Sequence, residues 1–215
     1  MPEWTAVTRY YPIMADLRGR PVLVVGGGPV AQRKVEGLLA ADARVTIVSP
    51  TLTADLAAIA AEGRVRHEAR RYRPGDLAGV SLAFVATGDG RLSGRVADEG
   101  RQRGVWVNAA DDPAHCDFVL PAVLRRGPLT VSVATDGTSP ALAGAVRDAL
   151  AMVIGEAYGP LAELVAQVRR ELRAERRSPN GEAWRRAIDA DLLALVAEQR
   201  YGDAGRRLRC RLGVG

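Results

Sequence analysis

The sequence predicts an α/β protein. A parallel sheet with helices on both faces comes first, then a β-containing segment, then a charged helical C-terminal third. Three observations carry this. Short apolar runs bounded by Gly or Pro alternate with helix-spaced stretches in a β-α-β-α-β-β-α-β rhythm. The first run passes straight into three glycines that open a helix. After Phe118 the alternation stops and the character of the chain changes.

PVLVV, residues 21–25, is a short apolar run that reads as a buried parallel strand. AQRKVEGLLAAD follows, with Ala31, Val35, Leu38 and Leu39 at helical spacing. ARVTIVSP is a second strand, rich in β-branched residues, and TADLAAIAAEGR a second helix ending at Gly63. VRHEARRY is a short strand and VSLAFVATG an apolar one ending at Thr87-Gly88. RLSGRVADEGRQRG is a polar-faced helix, and GVWVNAAD a further strand. FVLPAVLRRGPLTVSVATDG then contains two β-type runs about a turn at Arg126-Gly127-Pro128, with no evident strand partner elsewhere in the chain. Unpaired edges are costly to leave exposed, so these runs predict a two-fold homodimer that pairs them. Ser139-Pro140 caps and starts an apolar helix. Beyond Gly159-Pro160 come LAELVAQVRRELRAERRS and, after SPNG, the helical stretch EAWRRAIDADLLALVAEQR.

Composition narrows the function. With 47% hydrophobic residues, 215 residues can bury a sizeable core. The net charge is +5, and Lys34 is the one lysine among 30 basic residues. Arginine's planar fork matches carboxylate and phosphate. Aromatics make up 5%, a poor supply of stacking platforms for single-stranded nucleic acid. Cys116 and Cys210 form no CxxC pair, which argues against a disulfide framework or a structural zinc. The N-terminus carries no secretory apolar region, and no stretch reaches ~18 apolar residues. The expectation is a reduced, cytoplasmic compartment and no membrane.

Gly26-Gly27-Gly28-Pro29-Val30-Ala31 fits G-x-G-x-x-A between a strand and a helix, the context a dinucleotide requires. The first glycine permits the tight turn, the second lets the backbone approach a pyrophosphate, and Ala31 allows close helix–strand packing. The helix N-terminus offers free N–H groups to the phosphates. An acidic residue normally ends the second strand and grips the ribose. Here that strand ends VTIVSPTL, so Ser49, Thr51 and backbone groups are left to hold it. No arginine directly follows Ser49, and the cofactor is read as NAD rather than NADP.

NAADDPAHCDF, Asn108 to Phe118, follows a strand that should end at the cofactor crevice. Asp-Asp-Pro is ordinary turn chemistry. Asp111 also stands where a carboxylate points into the crevice, able to take a proton or approach a metal. Asp111 and His115 are the metal candidates, and Cys116 reads as a small buried hydrophobe. At TDGTSPALAGAVR, Ser139 is a helix cap.

YYPIMADLRGRPVLVVGGGPVAQRK and VNAADDPAHCDFVLPAVLRRGPLTVSVATDGTSPALAGAVRDAL together resemble the precorrin-2 dehydrogenase/sirohydrochlorin ferrochelatase family. The likeness runs from about Tyr11 to Leu150 and rests on GGGxVAxRK, NxxDxPxxCxFxxPA and RGxLxVxxxTxGxSPxLAxxxR. It implies a Rossmann-type NAD domain over 1–115, a dimerisation segment over 116–150 and a helical domain over 151–215. It also implies a tetrapyrrole substrate between the domains. Such enzymes oxidise precorrin-2 to sirohydrochlorin, and many also insert ferrous iron to make siroheme. By position, Asp111 matches the family's catalytic aspartate. Pro29 and Val30 match loop contacts with NAD, and Pro50 and Thr51 lie where the second strand meets the cofactor. Thr135 matches a hydroxyl near the substrate. Ala134 replaces a serine common in the family, and Gly88 an aspartate. The candidate cofactor set is Gly26, Gly27, Gly28, Pro29, Val30, Ser49, Pro50, Thr51 and Thr87. The candidate substrate set is Asn108, Thr135 and Ser139. With the chain ending at Gly215, a stand-alone enzyme without a methyltransferase domain is expected.

A second reading is a non-catalytic NAD or redox-sensing regulator whose basic C-terminal third binds nucleic acid. That third holds 12 arginines against 9 acidic residues, a weak excess, and no helix-turn-helix signature. Asp111 in its NxxDxP setting favours the enzyme, and nucleic acid is not expected as a partner.

Overall fold

The computed structural model describes residues 10–110 and 112–214. They fall into two compact units, Met1–Val119 and Leu120–Gly215, where the sequence divided the chain in three at 115 and 150.

In the first unit, β1 (Pro21–Val25) pairs in parallel with β2 (Arg44–Val48) and with β4 (Leu82–Val85). β3 (Arg66–Glu68) and β5 (Trp106–Ala109) complete the sheet, in the order β3-β2-β1-β4-β5. The order reverses between β1 and β4, the switch point at which ligands of open α/β sheets bind. β1 is buried on both faces. Val22 and Val24 join a core with Val35 and Leu38 of α1 (Pro29–Leu39) and Leu56 of α2 (Ala54–Ala61). Leu23 and Val25 join the opposite core, with Val96 of α3 (Gly90–Arg103). The predicted sheet with helices on both faces is therefore present.

The second unit begins with a hairpin. β6 (Ala122–Arg126) and β7 (Leu129–Val133) pair antiparallel with each other. The two runs, for which the rest of the chain offered no evident partner, share one ladder with each other, and among the described residues their outer edges stay unpaired. The turn works because Gly127 adopts φ 51° and sits against the backbone of Gly159. Next come α4 (Pro140–Val153) and α5 (Tyr158–Ala174). Ser139 caps α4 as predicted, its hydroxyl accepting from Leu142 N at 3.1 Å.

EAWRRAIDADLLALVAEQR is not one helix. It divides into α6 (Gly181–Ala187) and α7 (Ala190–Ala197), with α8 (Tyr201–Arg211) following. The reason is Asp189. Its carboxylate caps α7 by accepting from Leu192 N at 2.9 Å, which commits Asp189 itself to extended backbone. The same carboxylate meets Arg207 at 2.8 Å and Arg211 at 3.0 Å. Leu161, Val168 and Leu172 of α5 share a core with Leu192, Val196 and Leu208 of the last helices.

The Arg207 guanidinium, aided by the Leu192 N–H, holds the Asp189 carboxyl well below the usual carboxylate range. A depressed folded pKa gives stability that is present above the unfolded value, ~3.9 for Asp, and lost as pH falls below it. Asp189→Ala should therefore lower stability at neutral pH by about 1 kcal/mol through the lost cap. Asp189→Asn keeps a capping oxygen and should blunt the acid sensitivity below that value. Denaturant melts of the three proteins at neutral and acid pH check this. Identical pH profiles for Asp189→Asn and the parent chain would refute it.

Candidate functional site

The register brings Val25, Val48 and Val85 level at the carboxyl edge of the sheet, with Ala109 beside Val85. Chain emerging from β1 must leave between its two neighbours. Gly26, at φ 123°, has no room for a Cβ, which would collide with Ala86 O. A Cβ on Gly27 would collide with Thr51 O and lie 2.8 Å from Ser49 Oγ. These two glycines let the loop wedge between the ends of β2 and β4. Gly27 O in turn accepts from Thr53 N at 2.9 Å, tying the two loops together.

Gly28 differs. A Cβ there would meet nothing within 4 Å. It is the N-cap of α1 and has no side chain to satisfy the first-turn N–H groups. Those groups have no acceptor within the helix and carry the positive end of its dipole. Pro29 occupies the first turn, where a missing N–H costs nothing. Ala31 is fully buried against the sheet. The loop thus presents an open, donor-lined cradle, and these residues fit a dinucleotide pyrophosphate.

A cavity of about 260 Å³ adjoins this cradle, lined by Val30, Thr87, Gly88, Ser93, Ala110 and Asp112 among others. Its walls come from α1, the loop after β4, α3 and the loop after β5. Sequence reasoning named Val30 and Thr87 but missed Gly90, Ser93 and Asp112. The signal lay in Thr87-Gly88-Asp89-Gly90, a second glycine-bearing strand-to-helix junction. There Asp89 caps α3 by accepting from Arg91 N at 3.0 Å.

The predicted hydroxyls are placed as follows. Ser49 is buried, and its hydroxyl donates to Thr51 O at 2.7 Å, shaping the loop after β2. Pro50 and Thr51 are exposed at that edge. In the second unit, Thr135 Oγ1 donates to Ser139 O and accepts from Ser139 N, both at 3.0 Å. Asn108 is buried on β5 and donates to Phe118 O at 2.9 Å.

Asp111 lies outside the described residues. Around it, Pro113–His115 forms a single 3-10 turn. His115 Nδ1 lies 2.7 Å from Asp112 Oδ2, and its ring rests on Gly94 of α3. The second carboxylate of the Asp-Asp pair, on the cavity wall, is thereby oriented by the imidazole. Cys116 accepts from Ala109 N at 3.3 Å and its thiol lies 3.1 Å from Ala109 O. Burial pushes that thiol up, so it stays protonated. Half-buried rather than buried, it fastens the turn to β5 through these contacts. Among the described residues no group of three or more His, Cys, Asp or Glu gathers as a metal site.

Residues 13–122 match a family model described as "Putative NAD(P)-binding", over half of the chain. The chain belongs to this NAD(P)-binding family. Curated relatives include siroheme synthases. That of Methylobacillus flagellatus is 43% identical over 188 residues, covering 87% of this chain and 40% of the relative. That of Sodalis glossinidius is 34% identical over 208 residues, covering 96% of this chain and 44% of the relative. The chain thus spans less than half the length of these relatives. Among solved structures it is similar to SirC, precorrin-2 dehydrogenase, with a TM-score of 0.65 and 27% identity over 95% of this chain and 98% of that one. The resemblance drawn from the sequence is borne out, and so are the Rossmann-type fold and NAD as cofactor. No single helix among the described residues is long and apolar enough to cross a membrane.

Proposed function

We propose that this chain catalyses the NAD-dependent oxidation of precorrin-2 to sirohydrochlorin. The observation that carries this is the open cradle at Gly28 beside the switch-point cavity, in a chain similar along its length to a precorrin-2 dehydrogenase. When bound, the dinucleotide supplies the hydride acceptor. The substrate loses a hydride and a proton, and the proton needs a base. Asp111 is the candidate for it, next in sequence to Ala110, which lines the cavity. Asp112, held by His115, adds a fixed negative charge to the same wall. Thr87, Val30 and Pro29 flank the dinucleotide, with Pro50 and Thr51 at its ribose end. Asn108 in the first unit and Thr135 and Ser139 in the second are the candidates for substrate contact that the sequence offers. The test is anaerobic incubation of precorrin-2 with the chain and NAD or NADP, followed by absorbance. Sirohydrochlorin should appear faster with NAD. No conversion with either cofactor would defeat the reading. Ferrous iron added afterwards tests insertion into sirohydrochlorin, the second step the resemblance implies, with siroheme as the expected product.

The enzyme is read as a cytoplasmic homodimer. The hairpin's outer edges are unpaired. In the same unit, Leu120, Leu142, Met152 and Val153 are exposed at 49%, 54%, 87% and 73%. Large apolar side chains left exposed in this way suit an interface. Light scattering at micromolar protein should give twice the chain mass, and Met152→Glu with Val153→Glu should give the chain mass. A monomer in the parent protein would contradict this.

A further inference from the structure

The unit Leu120–Gly215 holds a cavity of about 360 Å³ between α5 and the chain leading into α6. Its walls divide by chemistry. Val165, Leu172, Trp184 and Ile188 give an apolar lining that includes one indole ring. Arg169, Arg173 and Arg177 give the rim, and no carboxylate lines the cavity. Arg169 and Arg173 are four residues apart on α5, hence on one face and ~6 Å apart along the axis.

Several arginines elsewhere in this unit are neutralised from within. Arg207 meets Asp189 and Asp191, and Arg209 meets Glu171 and Glu175. Among the described residues, Arg169 and Arg173 have no such partner. Arg177 is loosely held, 4.0 Å from Glu175. Guanidinium groups gathered at a concavity repel one another unless an anion joins them. Their planar forks suit carboxylates, each of which can take two N–H groups at once. The apolar lining calls for a ligand whose acids are carried on a flat apolar body, which inorganic phosphate lacks.

We propose that this pocket binds the edge of a planar polycarboxylate, namely a carboxylated tetrapyrrole. The ring edge would lie on Trp184 and its acid arms on Arg169 and Arg173. The volume suits one pyrrole with its arms rather than a whole macrocycle. The identity of the ligand rests on the proposed reaction, whereas the polycarboxylate chemistry rests on the pocket alone. The pocket would be a docking station on the helical unit, built without the residues of the NAD crevice.

The probe is uroporphyrin, a stable planar porphyrin with carboxylates on every pyrrole. Calorimetry of the full chain should resolve a binding class that weakens at least tenfold in Arg169→Ala/Arg173→Ala, the scale for losing two charged hydrogen bonds. Arg170→Ala/Arg185→Ala removes the same charge outside the pocket and should retain that class. Equal weakening in both variants would reduce the effect to bulk basicity and overturn the site. Unchanged binding in the pocket variant, or none in the parent chain, would overturn it too. Precorrin-2 turnover by the parent chain is read separately. Turnover without this binding class sinks the pocket and leaves the reaction. The binding class without turnover leaves a polycarboxylate site and sinks the reaction.

Discussion

Asp111→Ala should cut precorrin-2 oxidation by roughly 10²–10⁴-fold, the contribution typical of a positioned general base. The affinity for NAD should hardly change. Of the hydrogens that leave the substrate, one departs with its electron pair to the dinucleotide and the other as a proton. Asp111 follows β5 by two residues in sequence, between Ala110 and Asp112, which both line the cavity. The competing role is structural: the Asp-Asp-Pro turn itself. That role predicts a lower melting temperature with normal turnover in the folded fraction. Asp112→Ala separates the two carboxylates. Loss of the His115 contact should loosen the turn and lower stability by about 1 kcal/mol or less, as for a partly exposed pair. Turnover should fall less than in Asp111→Ala. Melting temperature and rate, measured on the same preparations, decide between base and turn. A well-folded Asp111→Ala enzyme at full rate would transfer the role to another group.

Gly28→Val should abolish measurable NAD binding and leave the fold intact. The contrast with its neighbour makes this sharp. A side chain at Gly27 runs into the backbone of Thr51, so Gly27→Ala should destabilise the whole first unit. At Gly28 the space is open and φ is −88°, a value any residue adopts. A branched side chain there is sterically free in the unliganded protein and stands where the pyrophosphate must approach. Calorimetry should show at least a hundredfold loss for Gly28→Val, on the order of 3 kcal/mol. Its melting temperature should match the parent's. Equal NAD affinity in the two proteins would remove the phosphate-loop assignment.

The parts of this architecture that depend on short-range pattern were legible in the sequence. PVLVV is apolar at every position because β1 is covered on both faces, and Ala31 is small because α1 presses on the sheet. The glycine triplet was legible as a motif, but its division of labour was not. Only the positions of Ala86 and Thr51 distinguish two glycines that make room for the fold from one that makes room for a ligand. The break between α6 and α7 was also hidden. Asp189 looks like any surface acid until Arg207 and Arg211, from a later helix, are brought to it. Ser49 and Thr135 were named for their hydroxyls, and both hydroxyls hydrogen-bond within their own loops. Local sequence marks such residues as polar and near a site, while the partner each one chooses is set by tertiary contacts. Asp112 was read as a turn residue alone for the same reason, since its link to His115 needs the turn to close first.

The account stands most directly on the coupling of two products. Precorrin-2 incubated anaerobically with this chain and NAD should yield sirohydrochlorin and reduced NAD in equal amounts, at a rate proportional to enzyme. Sirohydrochlorin forming without matching reduction of NAD, or precorrin-2 remaining unconsumed in the presence of a chain that binds NAD, would contradict it.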